Sequence, residues 1–165
     1  MSSSSQGSGP PDGRGSEFLT RRSDVNKSRQ AAEPLSDVLV VDDETKDASR
    51  LAATVRLAFG YATGVRTVAT LSSAVDAVLA RLPDLILLDD HLDLSADRAT
   101  DAIPFLRRAG YAGPIIVVSG LVTRKRTAEL VAAGADGILH KDDVNATAIA
   151  EALTATATAR NGRQG

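Results

Sequence analysis

Residues Leu85-Ile86-Leu87-Leu88-Asp89-Asp90 decide the fold of this chain. Four consecutive apolar residues, preceded by Pro83-Asp84 and followed by two carboxylates, predict a strand that is buried on both faces and ends in a polar site. In an open α/β sheet, ligands bind just beyond the carboxyl ends of the strands. We therefore expect charged chemistry at the end of this strand, around Asp89.

The composition of the 165-residue chain favours one ordinary domain and excludes several classes of function. Cysteine is absent, which excludes thiol catalysis, disulfides and Cys-ligated zinc and fits a reducing, cytoplasmic compartment. The net charge of −2 and the aromatic content of 3% give no reason to expect binding to nucleic acid or to an anionic membrane. No apolar run approaches the roughly 20 residues that cross a bilayer, and we expect no secretion signal.

Residues 1–35 differ in composition from the rest of the chain. They are rich in Ser, Gly, Pro and charged residues, so they predict a disordered N-terminal tail. Its basic residues are compatible with a solvated tail or with a docking arm, and the sequence Gly15-Ser16-Glu17-Phe18 is compatible with an artificial junction. We expect residues 36–158 to form the folded domain and residues 159–165 to be flexible.

Five short apolar runs predict strands, and amphipathic segments between and after them predict five helices. The runs are Val38–Val41, Val65–Ala69, Leu85–Leu88, Pro114–Gly120 and Ala135–Leu139. Strands that alternate with helices predict an α/β domain with a doubly wound parallel sheet of five strands. With the first strand central, the expected strand order is 2-1-3-4-5, one of the two common orders of such sheets.

Capping residues predict where the helices begin and end. The first helix is expected over Thr45 to Phe59 and the last over about Asn145 to Ala157. Pro104 is tolerated in a first turn, which favours Thr100 as the N-cap of the third helix. The other expected caps are Ser72, Thr123, Gly60 and Gly134. The apolar residues expected to face inward include Leu51, Val55, Leu57, Ala74, Val78, Leu79, Ile149 and Leu153.

Polar residues follow four of the predicted strands, and parallel strands bring their carboxyl ends to one edge. These residues are Asp42 and Asp43, Asp89, Ser119 and Lys141. Three carboxylates within a few ångströms repel one another unless a cation compensates them, and oxygen ligands alone favour Mg²⁺ or Mn²⁺. Because Mg²⁺ usually binds one or two carboxylates together with a phosphoryl oxygen, we expect a ligand that carries phosphate. Asp89 is then a candidate nucleophile, and Ser119 and Lys141 are candidates to bind phosphoryl oxygens.

Four segments of the chain carry a resemblance to a known family. They are Val38–Glu44 (VLVVDDE), Pro83–Asp89 (PDLILLD), Pro114–Gly120 (PIIVVSG) and Gly134–Lys141 (GADGILHK). In this order they resemble the receiver domain of two-component response regulators, and the resemblance covers about residues 36–158. It implies a flavodoxin-like fold and a single-domain response regulator, whose output is a protein contact or onward phosphotransfer.

The resemblance also implies the acceptor and the metal ligands. Asp89 is implied to accept a phosphoryl group from a phosphohistidine, carried by a histidine kinase or a histidine phosphotransfer protein. Mg²⁺, or else Mn²⁺, is implied to be bound by Asp42, Asp43, Asp89 and the backbone carbonyl of His91.

The remaining implied roles concern the phosphoryl group and the partner surface. Ser119 is implied to bond the phosphoryl group and signal its presence, and Lys141 to pair with it. Gly120 is implied to leave the approach to the site open. The implied docking surface is the face formed by the fourth helix, the fifth strand and the fifth helix.

The chain departs from the pattern of the family at three positions. Ile138 stands where the family usually has an aromatic residue, so rotation of a buried ring cannot be the signal. Asp142 and Asp93 stand where Pro is usual, so we expect a trans peptide before Asp142. Because the stretch from Asp90 to Thr100 is longer than usual, we predict that this acidic loop and the face from the fourth helix to the fifth strand are adapted to a particular partner.

Several residues have more than one interpretation. Asp90 competes with Asp89 as the acceptor, although side-chain alternation along the strand favours Asp89. Arg124–Arg126 are either a solvated helix start or a docking site. His91 is either a solvated loop residue or a modulator of phosphoaspartate hydrolysis, and His140 is interpreted as structural.

The alternative function is that of a Mg²⁺-dependent phosphohydrolase with an Asp nucleophile. Such enzymes usually carry a second acid two residues after the nucleophile, and Asp42 and Glu44 match this spacing only loosely. They also usually have a substrate cap, for which the chain has little room. A flavin-binding module is a third possibility, but the phosphate-binding loop expected after the first strand is missing. We therefore predict a phosphoacceptor signalling protein and not an enzyme.

Overall fold

The computed structural model describes residues 35–92 and 97–164, so the predictions for the N-terminal tail and for Asp93 fall outside the described residues. The strands are β1 (Asp37–Val41), β2 (Gly64–Val68), β3 (Leu85–Asp89), β4 (His91–Leu92), β5 (Asp97–Arg98), β6 (Ile115–Ser119) and β7 (Gly137–His140). The helices are α1 (Thr45–Phe59), α2 (Leu71–Ala80), α3 (Ala99–Arg108), α4 (Arg124–Ala133) and α5 (Ala146–Gln164), with a 3₁₀ turn over Lys141–Asp143.

Five parallel strands form the main sheet in the order β2-β1-β3-β6-β7. Counted among themselves, these strands have the predicted order 2-1-3-4-5, and the flavodoxin-like arrangement is confirmed. Val41 of β1 is paired with Leu88 of β3, and Asp89 is paired with Val118 of β6. Ser119 is paired in turn with His140 of β7. This register brings the polar ends of four strands to one level at the carboxyl edge of the sheet.

Side chains alternate between the two faces of the sheet and form two apolar cores. The first face packs against α2, α3 and α4 and carries Leu39, Val41, Ile86, Leu88, Ile115 and Val117. The second face packs against α1 and α5 and carries Val38, Val40, Leu85, Leu87, Ile116 and Val118. Continued past the strand ends, the alternation assigns Asp90 and Ser119 to the first face and Asp42 and Asp89 to the second.

Two predicted helix starts were wrong. Thr70, and not Ser72, caps α2, because its Oγ1 accepts a hydrogen bond from the Ser73 N–H at 3.0 Å. Helix α3 begins at Ala99, one residue before the predicted cap Thr100, and its first N–H donates to the Asp90 carbonyl at 3.1 Å. Pro104 consequently lies inside this helix instead of in its first turn.

Other helix predictions can be compared with the structure directly. Thr123 caps α4 as predicted, because its Oγ1 accepts a hydrogen bond from the Arg126 N–H at 3.1 Å. Leu57 and Leu79 are 67% and 66% exposed, so their predicted inward orientation was wrong. Helix α5 continues to Gln164, past its predicted end at Ala157. None of the helices in the described ranges combines the length and apolarity needed to cross a lipid bilayer.

The predicted loop after β3 contains a short antiparallel ribbon. His91 of β4 is paired with Arg98 of β5, and Leu92 is paired with Asp97. Leu92 is 2% exposed and belongs to the core of the first face. The ribbon therefore fixes both the backbone just after Asp89 and the start of α3.

A partly buried ion network holds the opposite edge of the sheet. Asp136, before β7, accepts hydrogen bonds from Arg107 Nη2 and from the Ile115 N–H, both at 3.0 Å. Arg160 Nε lies 3.5 Å from the other carboxylate oxygen of Asp136. These contacts join α3, β6 and α5 at the end of the sheet far from the acidic residues.

Candidate functional site

Three carboxylates form a cluster at the carboxyl edge of the sheet. Asp42 and Asp43 follow β1, and Asp89 ends β3. Each offers one oxygen, and these three oxygens lie within 4.8 Å of one another. Asp42 and Asp89 are each 4% exposed, whereas Asp43 is partly exposed. The three predicted carboxylate ligands are thus brought together.

Burial disfavours the charged forms of two acids of this cluster, Asp42 and Asp89. Burial, together with the neighbouring Asp89 charge, raises the pKa of Asp42 to about 6. A 2.9 Å hydrogen bond from the Glu44 N–H opposes this shift. Burial also raises the pKa of Asp89 above its ordinary value, because the Lys141 charge offsets it only in part. A divalent cation relieves this repulsion, and a set of ligands with oxygen atoms only fits Mg²⁺ or Mn²⁺. The residues present therefore fit a hard metal ion.

Lys141 supplies the positive charge nearest to the acceptor candidate. Its Nζ lies 3.4 Å from Asp89 Oδ1 and 3.7 Å from Asp47 Oδ2. Burial alone would lower the pKa of Lys141, but the Asp89 charge and hydrogen bond outweigh it and raise the pKa. The predicted proximity of Lys141 and Asp89 is present, and Asp47 is a neighbour that the strand-end pattern did not identify.

The backbone after Asp89 is also placed at this site. The His91 N–H donates a hydrogen bond to the Asp89 carboxylate, and the His91 side chain is exposed.

Among the described residues no peptide bond is cis, so the trans peptide expected before Asp142 is confirmed. A Cβ placed on Gly120 would meet no heavy atom within 4 Å, in keeping with an open approach.

Asp90 lies on the other face of the sheet from Asp89 and has different partners. It is 1% exposed and accepts hydrogen bonds from Arg126 on α4, from Nε to Oδ2 at 2.9 Å and from Nη2 to Oδ1. Burial alone would raise the pKa of Asp90, but the Arg126 hydrogen bonds and charge, with a hydrogen bond from Ser119, hold it below its ordinary value. This pairing separates Asp90 from the acidic cluster that contains Asp89.

Ser119 is bonded to Asp90 in this structure. Its Oγ lies 3.0 Å from Asp90 Oδ2 and 3.0 Å from the Leu121 carbonyl oxygen, and it accepts from the Leu121 N–H at 3.1 Å. A hydroxyl has one hydrogen and a carboxylate is the stronger acceptor, so the bond to Asp90 is favoured. The Ser119 hydroxyl, which is predicted to bind a phosphoryl group on Asp89, is therefore hydrogen-bonded to Asp90 in this structure.

Arg126 is a residue beside the site that sequence reasoning missed. The interpretations offered for Arg124–Arg126 were a solvated helix start or a docking site, but Arg126 is 8% exposed and points into the protein. Arg124 and Lys125 are exposed. A buried charge needs a partner, and the second acid after the central strand, Asp90, was the one available signal.

Comparisons with known proteins agree with this fold. The family model described as the response regulator receiver domain matches residues 38–154. One similar solved structure is a response regulator from Burkholderia pseudomallei, crystallised with a phosphorylated aspartic acid, a calcium ion and citrate. Its sequence is 25% identical and its TM-score is 0.64, and the match covers 78% of this chain and 72% of that one. A search of curated proteins found no match.

Two further solved structures share the fold at lower identity. The chemotaxis protein CheY4 of Vibrio cholerae is 21% identical with a TM-score of 0.62, over 73% of this chain and 97% of that one. The receiver domain of the response regulator NarL from Mycobacterium tuberculosis is 20% identical with a TM-score of 0.60, over 72% and 93% of the two chains. Because the family model matches well over half of its length, the chain belongs to the response regulator receiver domains, which are phosphoacceptor signalling domains and generally not enzymes.

Proposed function

We propose that this chain is a single-domain response regulator that accepts a phosphoryl group on Asp89. The observation that carries the proposal is the position of Asp89, which lies both in the three-carboxylate cluster and 3.4 Å from the Lys141 ammonium. The proposed donor is a phosphohistidine on a histidine kinase or a histidine phosphotransfer protein. Output is by contact with a downstream protein or by onward phosphotransfer.

The transfer step uses groups of this chain for attack and charge stabilisation. A carboxylate oxygen of Asp89 attacks phosphorus, and the bond between phosphorus and the donor imidazole nitrogen breaks, so that the nitrogen keeps the electron pair. Asp89 must be ionised to attack, and Lys141 favours the ionised form. After transfer, the Lys141 ammonium is in place to pair with a phosphoryl oxygen.

The proposed metal site uses Asp42, Asp43, Asp89 and the backbone carbonyl of His91. When bound, Mg²⁺ supplies positive charge to the acids and to the phosphoryl oxygens. Support comes from the crowded oxygens and from the raised pKa values of Asp42 and Asp89. Mn²⁺ has the same ligand preferences and is the alternative ion.

The proposed signal begins at Ser119, which bonds the phosphoryl group when it is present. This role requires the hydroxyl to leave Asp90, its partner in the structure described above. The surface proposed to carry the output is the face formed by α4, β7 and α5. Ile138 on β7 takes the place of an aromatic residue there, so the signal has to travel by other side chains.

The test is labelling with acetyl phosphate in the presence of Mg²⁺, measured as intact mass. The expected result is the addition of one phosphoryl group per chain, lost in Asp89→Asn and retained in Asp76→Asn, a change at an exposed acid on α2. Labelling that persists in Asp89→Asn would contradict the assignment of the acceptor. Repeated turnover of a phosphomonoester, instead of labelling, would favour the phosphohydrolase.

A further inference from the structure

Asp90, Arg126 and Ser119 form a buried polar cluster next to the proposed acceptor. Asp90 Oδ2 accepts from Arg126 Nε at 2.9 Å and from Ser119 Oγ at 3.0 Å, while Oδ1 accepts from Arg126 Nη2. The three residues are between 1% and 8% exposed. One carboxylate oxygen is therefore shared between a strand hydroxyl and a helix guanidinium, away from water.

The Ser119 hydroxyl also restrains the connection from β6 to α4. Its oxygen lies within hydrogen-bond distance of both the carbonyl and the N–H of Leu121. Leu121 and Val122, which follow, are 61% and 42% exposed. Movement of the hydroxyl consequently changes the bonding of the loop that leads into α4.

The Ser119 hydroxyl has an acceptor in Asp90, and the proposed function gives it a second acceptor in a phosphoryl group on Asp89. Asp90 shares the first face of the sheet with Ser119, whereas Asp89 lies on the second face and is paired with Val118, the residue before Ser119. A serine hydroxyl has one hydrogen, so it donates to one of these acceptors at a time. A phosphoryl group on Asp89 adds negative charge and acceptor oxygens beside the strand end, where Asp90 is the existing partner.

We propose that Asp90 and Arg126 are positioning residues that compete with a phosphoryl group on Asp89 for the Ser119 hydroxyl. The inference rests on the proposed function of Asp89. When Ser119 leaves, Asp90 Oδ2 retains, of its hydrogen bonds to described residues, the one from Arg126 Nε, so the guanidinium changes its position relative to the carboxylate. Arg126 lies in the first turn of α4, where its N–H donates to the cap Thr123 and its Nη1 lies 3.2 Å from Glu129 Oε1. The change is thus carried to the start of α4 without an aromatic ring.

The test is an NMR titration of the isotopically labelled full chain with beryllofluoride and Mg²⁺, which mimics the phosphoryl group on the carboxylate. The expected result is that the Arg126 Nε–H and Leu121 amide signals shift together with the Asp89 amide. In Asp90→Asn the hydroxyl has lost its charged acceptor. In this variant we expect the Leu121 amide signal, before beryllofluoride is added, to be displaced toward its position in the bound state. We expect the apparent affinity for beryllofluoride to rise by roughly 5- to 10-fold.

The controls separate this inference from the proposed function. Asp101→Asn, at an exposed acid in the first turn of α3, is expected to leave all three signals and the affinity unchanged. A shift at Asp89 without one at Arg126 overturns the inference alone, and this result is read from the unmodified protein even if Asp90→Asn does not fold. The absence of any response at Asp89 overturns the proposed function as well.

Discussion

The ammonium of Lys141 lies between two carboxylates, 3.4 Å from Asp89 Oδ1 and 3.7 Å from Asp47 Oδ2. One of these acids is the proposed acceptor and the other belongs to the first turn of α1. The Asp89 charge raises the pKa of Lys141 against the effect of burial, so the amine is a fixed positive charge at neutral pH. Its removal should affect chemistry more than folding.

Lys141→Met is expected to slow labelling of Asp89 by acetyl phosphate by about 100-fold, the usual cost of removing one group that stabilises a developing charge. The change also removes the charge that favours ionised Asp89. The rate of the mass increase at fixed Mg²⁺ measures the effect. Lys46→Met, at an exposed position of the same charge on α1, is the matched control. An equal loss in both variants would argue against a role for Lys141 at the site.

Without metal, the free energy of unfolding is expected to fall as the pH rises from about 4 to about 6. The pKa of Asp42 is about 6 in the folded protein and 3.8 when unperturbed, so the folded state holds the proton more tightly and unfolding releases it in this window. The loss is at most about 3 kcal/mol for a shift of this size. Asp89 acts in the same direction, because its pKa is also raised.

Urea unfolding at several pH values in a chelator checks this dependence. Asp42→Asn keeps an oxygen for the Glu44 N–H and should flatten the slope between pH 4 and 6. Asp84 and Asp90, whose pKa values are lowered, contribute stability that is lost only as the pH falls below their ordinary range, so they do not mask the effect. A slope that survives unchanged in Asp42→Asn would contradict the assignment.

Mg²⁺ is expected to raise Tm, because an ion that binds the folded acidic cluster, as proposed, and not the unfolded chain stabilises the folded state. The increase should follow Mg²⁺ concentration and be strongly reduced in Asp43→Asn. Glu44→Gln, which removes a charge at the adjacent exposed position, should keep most of the increase. Thermal unfolding followed by circular dichroism measures both variants. Equal losses in the two would indicate a general charge effect.

Arg126→Met is expected to lower the free energy of unfolding by about 3 kcal/mol, because it leaves the buried Asp90 carboxylate without its ion pair. Arg124→Met, two residues earlier and exposed, should change it by less than about 0.5 kcal/mol. Chemical denaturation in Mg²⁺-free buffer gives both values. A small effect at Arg126 would mean that Asp90 finds water or another donor.

Gly134→Ala is expected to destabilise the protein more than Gly110→Ala. Both glycines have positive φ, of 113° and 107°, so both substitutions carry backbone strain of about 1 kcal/mol. A Cβ on Gly134 would also lie 3.1 Å from Ile103 Cγ2 in the core, whereas one on Gly110 would meet nothing within 4 Å. Denaturant midpoints of the two variants test the difference. Equal midpoints would show that the Ile103 side chain can shift away from the added Cβ without loss of stability.

The sheet and the acidic cluster were predictable because their signals are local. Apolar runs, a Gly after α1 and the acids at strand ends each follow from a few consecutive residues, and parallel pairing brings them together. Thr70 was missed because Thr70 and Ser72 are both good caps, and only the three-dimensional position of the Ser73 N–H distinguishes them. The start of α3 depends on the ribbon after β3, a pairing between segments that have little pattern of their own.

The partners of Asp90 and Ser119 depend on the faces of the sheet. A shared edge predicts that strand-end residues lie near one another, but side-chain alternation separates Asp89 from Asp90 and places Ser119 with Asp90. The alternation that favours Asp89 over Asp90 as the acceptor applies equally to the Ser119 hydroxyl. The pairing with Arg126 joins residues on two different elements 36 positions apart, so no short pattern could reveal it.

Helix α4 is fastened to the domain in two different ways along its length. Its buried side chains are Leu130, which sits in the apolar core near the end that packs on Ile103, and Arg126, which is held by charge at the other end. A ten-residue helix is about 15 Å long, so α4 is a short rigid element with apolar packing near its C-terminal end and an ion pair near its N-terminal end. If Arg126 shifts against Asp90 as inferred above, the first turn of α4 would move while its last turn stays packed in the core, and the shape of the surface over α4 would change.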